Sequence, residues 1–225
     1  MSSGTLYLIA TPIGNLGDLT YRAVEILKSV DWIACEDTRC SKTLLNHYGI
    51  QKPLFSYFDF SEKKKAPEFI RRILSGENAA LISDAGTPGI ADPGFRLVQE
   101  AIRQEVPLEA APGASAFLTA LVLSGLPVNR FTFEGFAPIK EGARRRWLKS
   151  LKTEERTVIF YESPHRLLKT LESMKHVLGD VPVVVARELT KKFQEVLRAP
   201  ISGQISRFSN KKILGEFVVL FNLSV

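Results

Sequence analysis

The chain has 225 residues, is 45% hydrophobic and 24% charged, and holds 15 glycines and 12 prolines. Those proportions exclude collagen, coiled coil and long disorder, and leave one large or two small globular domains. Lys plus Arg is 30 and Asp plus Glu is 24, a net charge of +6 that speaks to acidic partners rather than to fold.

The charge is uneven. Residues 1–136 carry 13 basic and 15 acidic side chains, a net of −2, whereas residues 137–225 carry 17 basic and 9 acidic, a net of +8. The stretch Met1–Thr5 has no basic start or long apolar run of a signal peptide. Residues 110–129 contain no charged side chain, but Pro112, Gly113, Gly125 and Pro127 bracket them. About a dozen helical residues between would span roughly 18 Å, short of a bilayer core, so a buried helix in a soluble, cytoplasmic protein is expected. Cys35 and Cys40, with scattered His47, His165 and His176, match no redox or zinc spacing. Neither a disulfide nor a metal site is expected.

In chain order, apolar or β-branched runs at Leu6–Ala10, Trp32–Cys35, Leu54–Tyr57, Ala79–Ser83 and Leu108–Ala110 read as strands. Between them, helical patterns lie near Leu19–Ser29, Ser41–Tyr48, Pro67–Ser75 and Gly94–Gln104. This alternation predicts an α/β lobe with a mainly parallel sheet covered on both faces. Ligands then belong at the carboxyl ends of its strands. Further on, Arg130–Phe136, Thr157–Tyr161, Val181–Ala186, Glu195–Leu197 and Glu216–Asn222 read as strands, with helices near Gly142–Leu151 and Pro164–Leu178. The last three strands follow one another with little helix between, which predicts a mixed sheet. Two α/β lobes, 1–114 and 115–225, with a ligand cleft between them, are expected.

Four loops carry the chemistry. Thr11–Thr20 holds Gly14 and Gly17, with Asp18 placed to cap the next helix; it is neither a Walker loop nor GxGxxG. It is either a tight strand-to-helix turn or a close backbone approach to a ligand. Ser83–Gly94 packs three glycines and two prolines after Asp84, which suits a rigid pocket lined by main chain. Asp84 reads as a ligand contact and Asp92 as a helix cap. Ala111–Ala116 is either a site for a carboxylate at a helix N-terminus or an ordinary proline-led helix start. In Glu36-Asp-Thr-Arg39, two carboxylates and a guanidinium stand at a strand end. They are either used in chemistry or reduce to an Asp37–Arg39 surface pair.

TPIGNLGDLT, EDTR, SDAGTPGIADPG, PGASA, FEGFAP, FYESPHRL and ARELTK stand in one order over roughly residues 5–223. Together they resemble the ribosomal RNA small-subunit methyltransferase I family, of the tetrapyrrole-methylase-like fold. The resemblance implies a two-lobed homodimer that binds S-adenosylmethionine in its cleft. It implies methyl transfer to the ribose 2′-hydroxyl of a cytidine in the decoding region of 16S rRNA in the small ribosomal subunit. It also implies cofactor contacts at Pro12, Gly14, Asp84, Ala85, Gly86, Ile90, Ser115, Ala116, Phe133, Gly135 and Phe136. A pocket without a P-loop lysine suits a ligand that has no phosphate and carries a cationic sulfonium.

A general base would speed attack by a neutral hydroxyl roughly a hundredfold or more. Asp37 and Glu188 are its candidates, with Arg39, Arg187 and Lys191 expected to hold phosphates. Asp84 at its strand end, and Glu162 and His165 in the ESPHRL turn, are further candidates for the base, though His165 could instead cap its own helix. Arg144, Arg145 and Arg146 head a basic surface with Lys140, Lys149, Lys152, Lys192 and the pair Lys211–Lys212; it faces RNA or is simply solvated. Trp147 either stacks a base or joins the core, and Lys63–Lys65 read as a solvated helix entry. A tetrapyrrole C-methyltransferase and a non-catalytic RNA-binding protein remain the alternatives. Many members of the resembled family extend beyond the last strand, whereas this chain ends at Val225.

Overall fold

A computed structural model describes residues 3–209 and 212–224, and for Asp59 the backbone alone. Lys211 and Val225 lie outside the described residues. The chain divides into two compact units, Met1–Ser115 and Ala116–Val225.

The first unit runs β1 (Leu6–Ile9), α1 (Tyr21–Ser29), β2 (Trp32–Cys35), α2 (Thr38–His47), β3 (Leu54–Ser56), α3 (Asp59–Leu74), β4 (Ala79–Ile82), α4 (Phe95–Arg103) and β5 (Leu108–Ala111). Its sheet has the order β3-β2-β4-β1-β5, and every pairing is parallel. All four residues of β2 and of β4 are buried, as central parallel strands require. Alternate residues divide between two cores. Leu6, Trp32, Ala34 and Leu81 pack with Phe69, Ile70 and Ile73 of α3 and Leu97 and Ala101 of α4. Ile9, Ile33, Cys35 and Ile82 pack with Ala23 and Leu27 of α1 and Leu44 and Leu45 of α2. Three layers result, and the loops after all five strands emerge on one edge.

Helix starts depart from the sequence reading in three places. Asp18 does not cap α1; Thr20 does, accepting from the Ala23 amide at 3.2 Å. Gly94, not Asp92, is the N-cap residue of α4, and its amide donates to the buried Glu62 at 2.7 Å. Helix α3 begins eight residues before Pro67, so Lys63–Lys65 lie within it. The Ser61 hydroxyl accepts from the Phe58 amide at 3.0 Å, fixing that start.

The second unit runs α5 (Ala116–Ser124), β6 (Phe131–Phe136), α6 (Glu141–Ser150), β7 (Thr157–Glu162), α7 (Leu167–Leu178), β8 (Pro182–Arg187), β9 (Glu195–Pro200), α8 (Ile201–Ser209) and β10 (Phe217–Phe221). Its order is β6-β7-β10-β8-β9, with β6–β7 parallel and the rest antiparallel. The expected α/β class is therefore observed, with the parallel sheet in the first unit and the mixed sheet in the second. Leu148 of α6, Leu171 and Met174 of α7 and Phe208 of α8 share one core with Phe160, Val185 and Val219 of the sheet. Helix α8 was not expected. It separates β9 from β10 and corrects the reading of three strands in close succession.

Helix α5 is the charge-free segment. It packs on β7, β8, β9 and β10, and Ala120, Leu121 and Ser124 are buried. Leu118 and Val122 stand exposed, so the helix is half-buried rather than enclosed. The Arg198 guanidinium donates to the carbonyls of Leu123 and Ser124, closing the helix C-terminus. Among the described residues, no helix is long and apolar enough to cross a membrane.

Candidate donor loops and acceptor-side residues

Three loops of the first unit are tied into one construction. Thr11, after β1, and Gly86, after β4, form an antiparallel bridge, with amide-to-carbonyl distances of 2.8 and 3.1 Å. The Thr11 hydroxyl donates to the Ser83 carbonyl at 3.1 Å, and the Ser83 hydroxyl donates to the Gly86 carbonyl at 3.0 Å. The Thr87 hydroxyl donates to the Ala114 carbonyl at 3.4 Å, joining the loop after β5. A Cβ at Gly113 would lie 3.1 Å from that of Ala10, so these backbones approach closely. Gly14, Gly86 and Gly94 hold φ of 152°, 86° and 150°. The loops are joined chiefly through main-chain groups, and residues 11–18, 83–94 and 111–116 contain no Lys or Arg.

The site residues expected here fall in that construction, with Pro12 and Gly86 buried, Asp84, Ala85, Gly14 and Ile90 exposed, and Ser115 and Ala116 between. Asp84 accepts from the Asp37 amide at 3.1 Å, linking the end of β4 to the end of β2. Burial, then the negative charge of Asp37, raises the Asp84 carboxyl above the usual carboxylate range against that hydrogen bond.

Asp37 caps α2 and accepts from the Arg39 amide at 2.8 Å. Arg39 also grips it in a fork, with Nε–Oδ1 at 3.1 Å and Nη2–Oδ2 at 2.7 Å. The Asp37–Arg39 pair is therefore formed. The Arg39 guanidinium holds the Asp37 carboxyl down to about 2. A depressed carboxylate keeps its pairing above the ordinary range and loses it only as pH falls through that value. An NMR titration should therefore place the Asp37 midpoint near 2, and Arg39→Ala should return it towards the ordinary carboxylate range; an unmoved midpoint would refute the pairing.

In the second unit, β6 bulges between Phe133 and Phe136 at Gly135, whose φ is 67°. Phe133 and Phe136 both lie edge-on to Tyr161, and Phe136 is 56% exposed. The segment after β6 is held by two arginines. Arg166 donates to the Ala137 carbonyl at 3.1 Å, and Arg144 to those of Pro138 and Ile139 at 3.3 and 3.1 Å. Arg166 is itself paired with the buried Glu162 at 2.7 Å, and Glu162 also accepts from the Thr170 hydroxyl at 2.5 Å. Glu162 is thus committed to structure, while His165 is exposed.

Arg144 is a correction. It is 4% exposed and donates to the Ser173 hydroxyl as well as to those carbonyls, so it is a brace and not a surface contact for RNA. Its helical phase, four residues before buried Leu148, turns it inwards. Arg145 pairs with Glu141 at 2.7 Å, and Arg146 is exposed. Arg145, Arg166 and Lys169, with Glu141 and Glu172, line a groove of about 550 Å³. Trp147 donates to Glu134 at 3.1 Å and packs edge-on to Phe160, the core alternative rather than a free stacking face.

The ARELTK turn is strained. Glu188 and Thr190 have φ of 49° and 65°, which non-glycine residues rarely adopt. The Glu188 carboxylate accepts from Lys191 and from the Glu216 amide, each at 3.0 Å. Burial raises this carboxyl, but Lys191 and the amide outweigh it and the net shift is downwards. Arg187 donates to the Leu214 carbonyl at 2.8 Å and pairs with Glu195, and Lys191 also reaches Glu216. These cations are engaged within their own unit.

Sequence reasoning missed Glu62, Thr11 and Thr87, which fasten the loops. Glu62 had a signal, since it falls on the buried stripe of Ala66, Phe69, Ile70 and Ile73.

The profile of the family described as Tetrapyrrole (Corrin/Porphyrin) Methylases matches residues 5–203. Solved structures of that architecture resemble the chain. Diphthine synthase does so at a TM-score of 0.77 and 14% identity, over 98% of this chain and 90% of that one. The methyltransferase CobJ does so at 0.72 and 15%, over 99% and 95%. At such identity they define the fold. The chain belongs to this family of methyltransferases and, within it, to the ribosomal RNA small subunit methyltransferase I family. A member from Thermotoga maritima is 46% identical over 219 residues, covering 97% of this chain and 98% of its own. One from Escherichia coli O157:H7 is 49% identical over 222 residues, covering 97% and 78%.

Proposed function

We propose that this methyltransferase uses S-adenosylmethionine to methylate the ribose 2′-hydroxyl of a cytidine in the decoding region of 16S rRNA, in the cytoplasm and as a homodimer. The observation that carries the donor assignment is the interlocked set of loops after β1, β4 and β5, built of backbone and free of Lys and Arg. When bound, the donor supplies an electrophilic methyl group on a cationic sulfur. Carbonyl oxygens and the Asp84 carboxylate suit that charge, and a phosphate ligand would want the basic side chains these loops lack. Pro12, Gly14, Asp84, Ala85, Gly86, Ile90 and Ser115 of the first unit, with Ala116 directly after it in the chain, would hold the donor. The assignment of Phe133, Gly135 and Phe136 is kept as a proposal for the second.

Positioning is the main task of such a site, since a well-oriented pair gains about 7–11 kcal/mol. Asp37 and Glu188 are the proposed acceptor-side carboxylates. Each is held by a cation, Arg39 or Lys191, which weakens it as a base and leaves it able to orient a hydroxyl. Exposed Arg146 and Lys149 would contact RNA phosphates. Exposed Leu118 and Val122 on α5 support the pairing of two copies.

The test offers labelled donor with deproteinised 16S rRNA, small subunits or uroporphyrinogen. Label is expected on a cytidine ribose and not on the tetrapyrrole. Asp37→Asn and Glu188→Gln are each expected to slow transfer about tenfold at unchanged donor affinity. Near-normal rates for both would remove these two residues, and label on the tetrapyrrole would remove the RNA reading.

A further inference from the structure

The strand order separates two halves of the carboxyl edge of the first sheet. The donor loops follow β4, β1 and β5, which are neighbours. The segments after β2 and β3 occupy the other end. The first of these is EDTR. The second, Tyr57–Glu62, has no part in the donor loops' own bridge.

That second segment is held firmly at both ends. Tyr57 is fully buried, and its amide donates to the Cys35 carbonyl at 2.7 Å, next to EDTR. At the other end the buried Glu62 receives the Gly94 amide at 2.7 Å, and Arg96 lies 3.7 Å away. The Phe58 amide donates to Ser61 between them. Between these anchors two aromatic side chains face outwards, Phe58 at 40% exposure and Phe60 at 96%. Lys63 and Lys64 are exposed as well. They stand three and four residues beyond Phe60 on α3, which puts all three on one helix face. Phe60 is the most exposed large apolar side chain among the described residues, on a segment whose backbone is anchored at both ends and on one helix face with two ammonium groups.

We propose that Phe58 and Phe60 form a stacking platform for unpaired RNA bases beside the acceptor nucleotide, with Lys63 and Lys64 holding the adjoining phosphates. This rests on the RNA reading above and adds to it the place where the strand enters. Every base has a face that stacks on an aromatic ring, and lysines on the same side match the backbone charge. A second copy of the chain fits this patch less well. A twofold contact centred here would bring the Lys63–Lys64 pairs of two copies together. Lys63–Lys65, read from the sequence as a solvated helix entry, thereby gain a ligand for two of their three members; Lys65 instead donates to the Ser56 carbonyl.

The experiment uses the full chain, deproteinised 16S rRNA and labelled donor. Phe60→Ala is expected to raise the RNA KM about tenfold, the scale of losing one stacked base. Maximal rate and donor affinity should stay the same, and Phe60→Trp should restore the KM. Replacing Lys63 and Lys64 by Gln should lower the slope of log KM against log salt by about 0.7 for each phosphate no longer neutralised. An unchanged RNA KM in Phe60→Ala overturns the platform. So does a shift in sedimentation showing that Phe60→Ala breaks apart an oligomer, since the patch would then be a contact between copies. If the unaltered chain methylates no RNA at all, the RNA reading falls and takes the platform with it. If it methylates RNA and only Phe60→Ala is indifferent, the platform alone falls.

Discussion

Replacing Arg166 by Met is expected to lower the unfolding free energy by about 3–5 kcal/mol, because it leaves a buried carboxylate without its cation. The Glu162 side chain is fully buried, and Arg166 approaches it to 2.7 Å. Removing both charges is milder than removing one, so Glu162→Gln with Arg166→Met should recover part of the loss. Arg166 also donates to the Ala137 carbonyl, so its loss frees the segment that follows Phe136 at the end of β6. Thermal unfolding should read the change directly, as a fall in Tm of roughly 10 °C or more. A Tm within about two degrees of the parent would show that Glu162 finds another partner or is not buried as described.

The second large effect is expected from Gly86→Val. Gly86 has a φ of 86°, and its amide and carbonyl both pair with Thr11. A β-branched residue in that conformation costs of order 1–3 kcal/mol, and the cheapest relief is to break the bridge. The bridge joins the loops after β1 and β4, so the donor surface would open. Donor affinity by calorimetry is expected to fall tenfold or more. Tm should fall less than in the Arg166 variant, since about 1–3 kcal/mol of backbone strain is smaller than the loss from an unpaired buried carboxylate. Unchanged donor affinity would show that the bridge does not shape the donor site.

The fold was legible where local pattern and packing agree. Trp32–Cys35 reads as a strand from four apolar or β-branched residues in a row, and it is one, buried throughout. Helix α8 was not legible, although Ile201, Ile205 and Phe208 follow a helical spacing. Its start depends on Asp180, which accepts from the Ser202 amide at 2.7 Å across 22 residues of sequence. A cap supplied from so far away leaves no local signal. Gly203 within the helix weakens the pattern further.

The donor loops were legible as loops because glycine and proline mark them. How they are joined was not, since the Thr11–Gly86 bridge spans two strands distant in sequence. Basic residues were the least legible. Arg144, Arg145 and Arg146 look alike in a row, but the 100° turn between neighbours sends one into the core, one to Glu141 and one to solvent. The +8 charge of the second half therefore overstates the cations it presents.

The position of β3 has a consequence for how this architecture changes over time. β3 is an edge strand with one neighbour, whereas β4 and β1 each have two. A new segment grafted after β3 perturbs one pairing, provided it keeps the Glu62 carboxylate that receives the Gly94 amide of the loop after β4. The carboxyl edge of the sheet is thus tied together by hydrogen bonds between loops over β4, β1 and β5, and ends at β3 in a corner where insertion disturbs the sheet least.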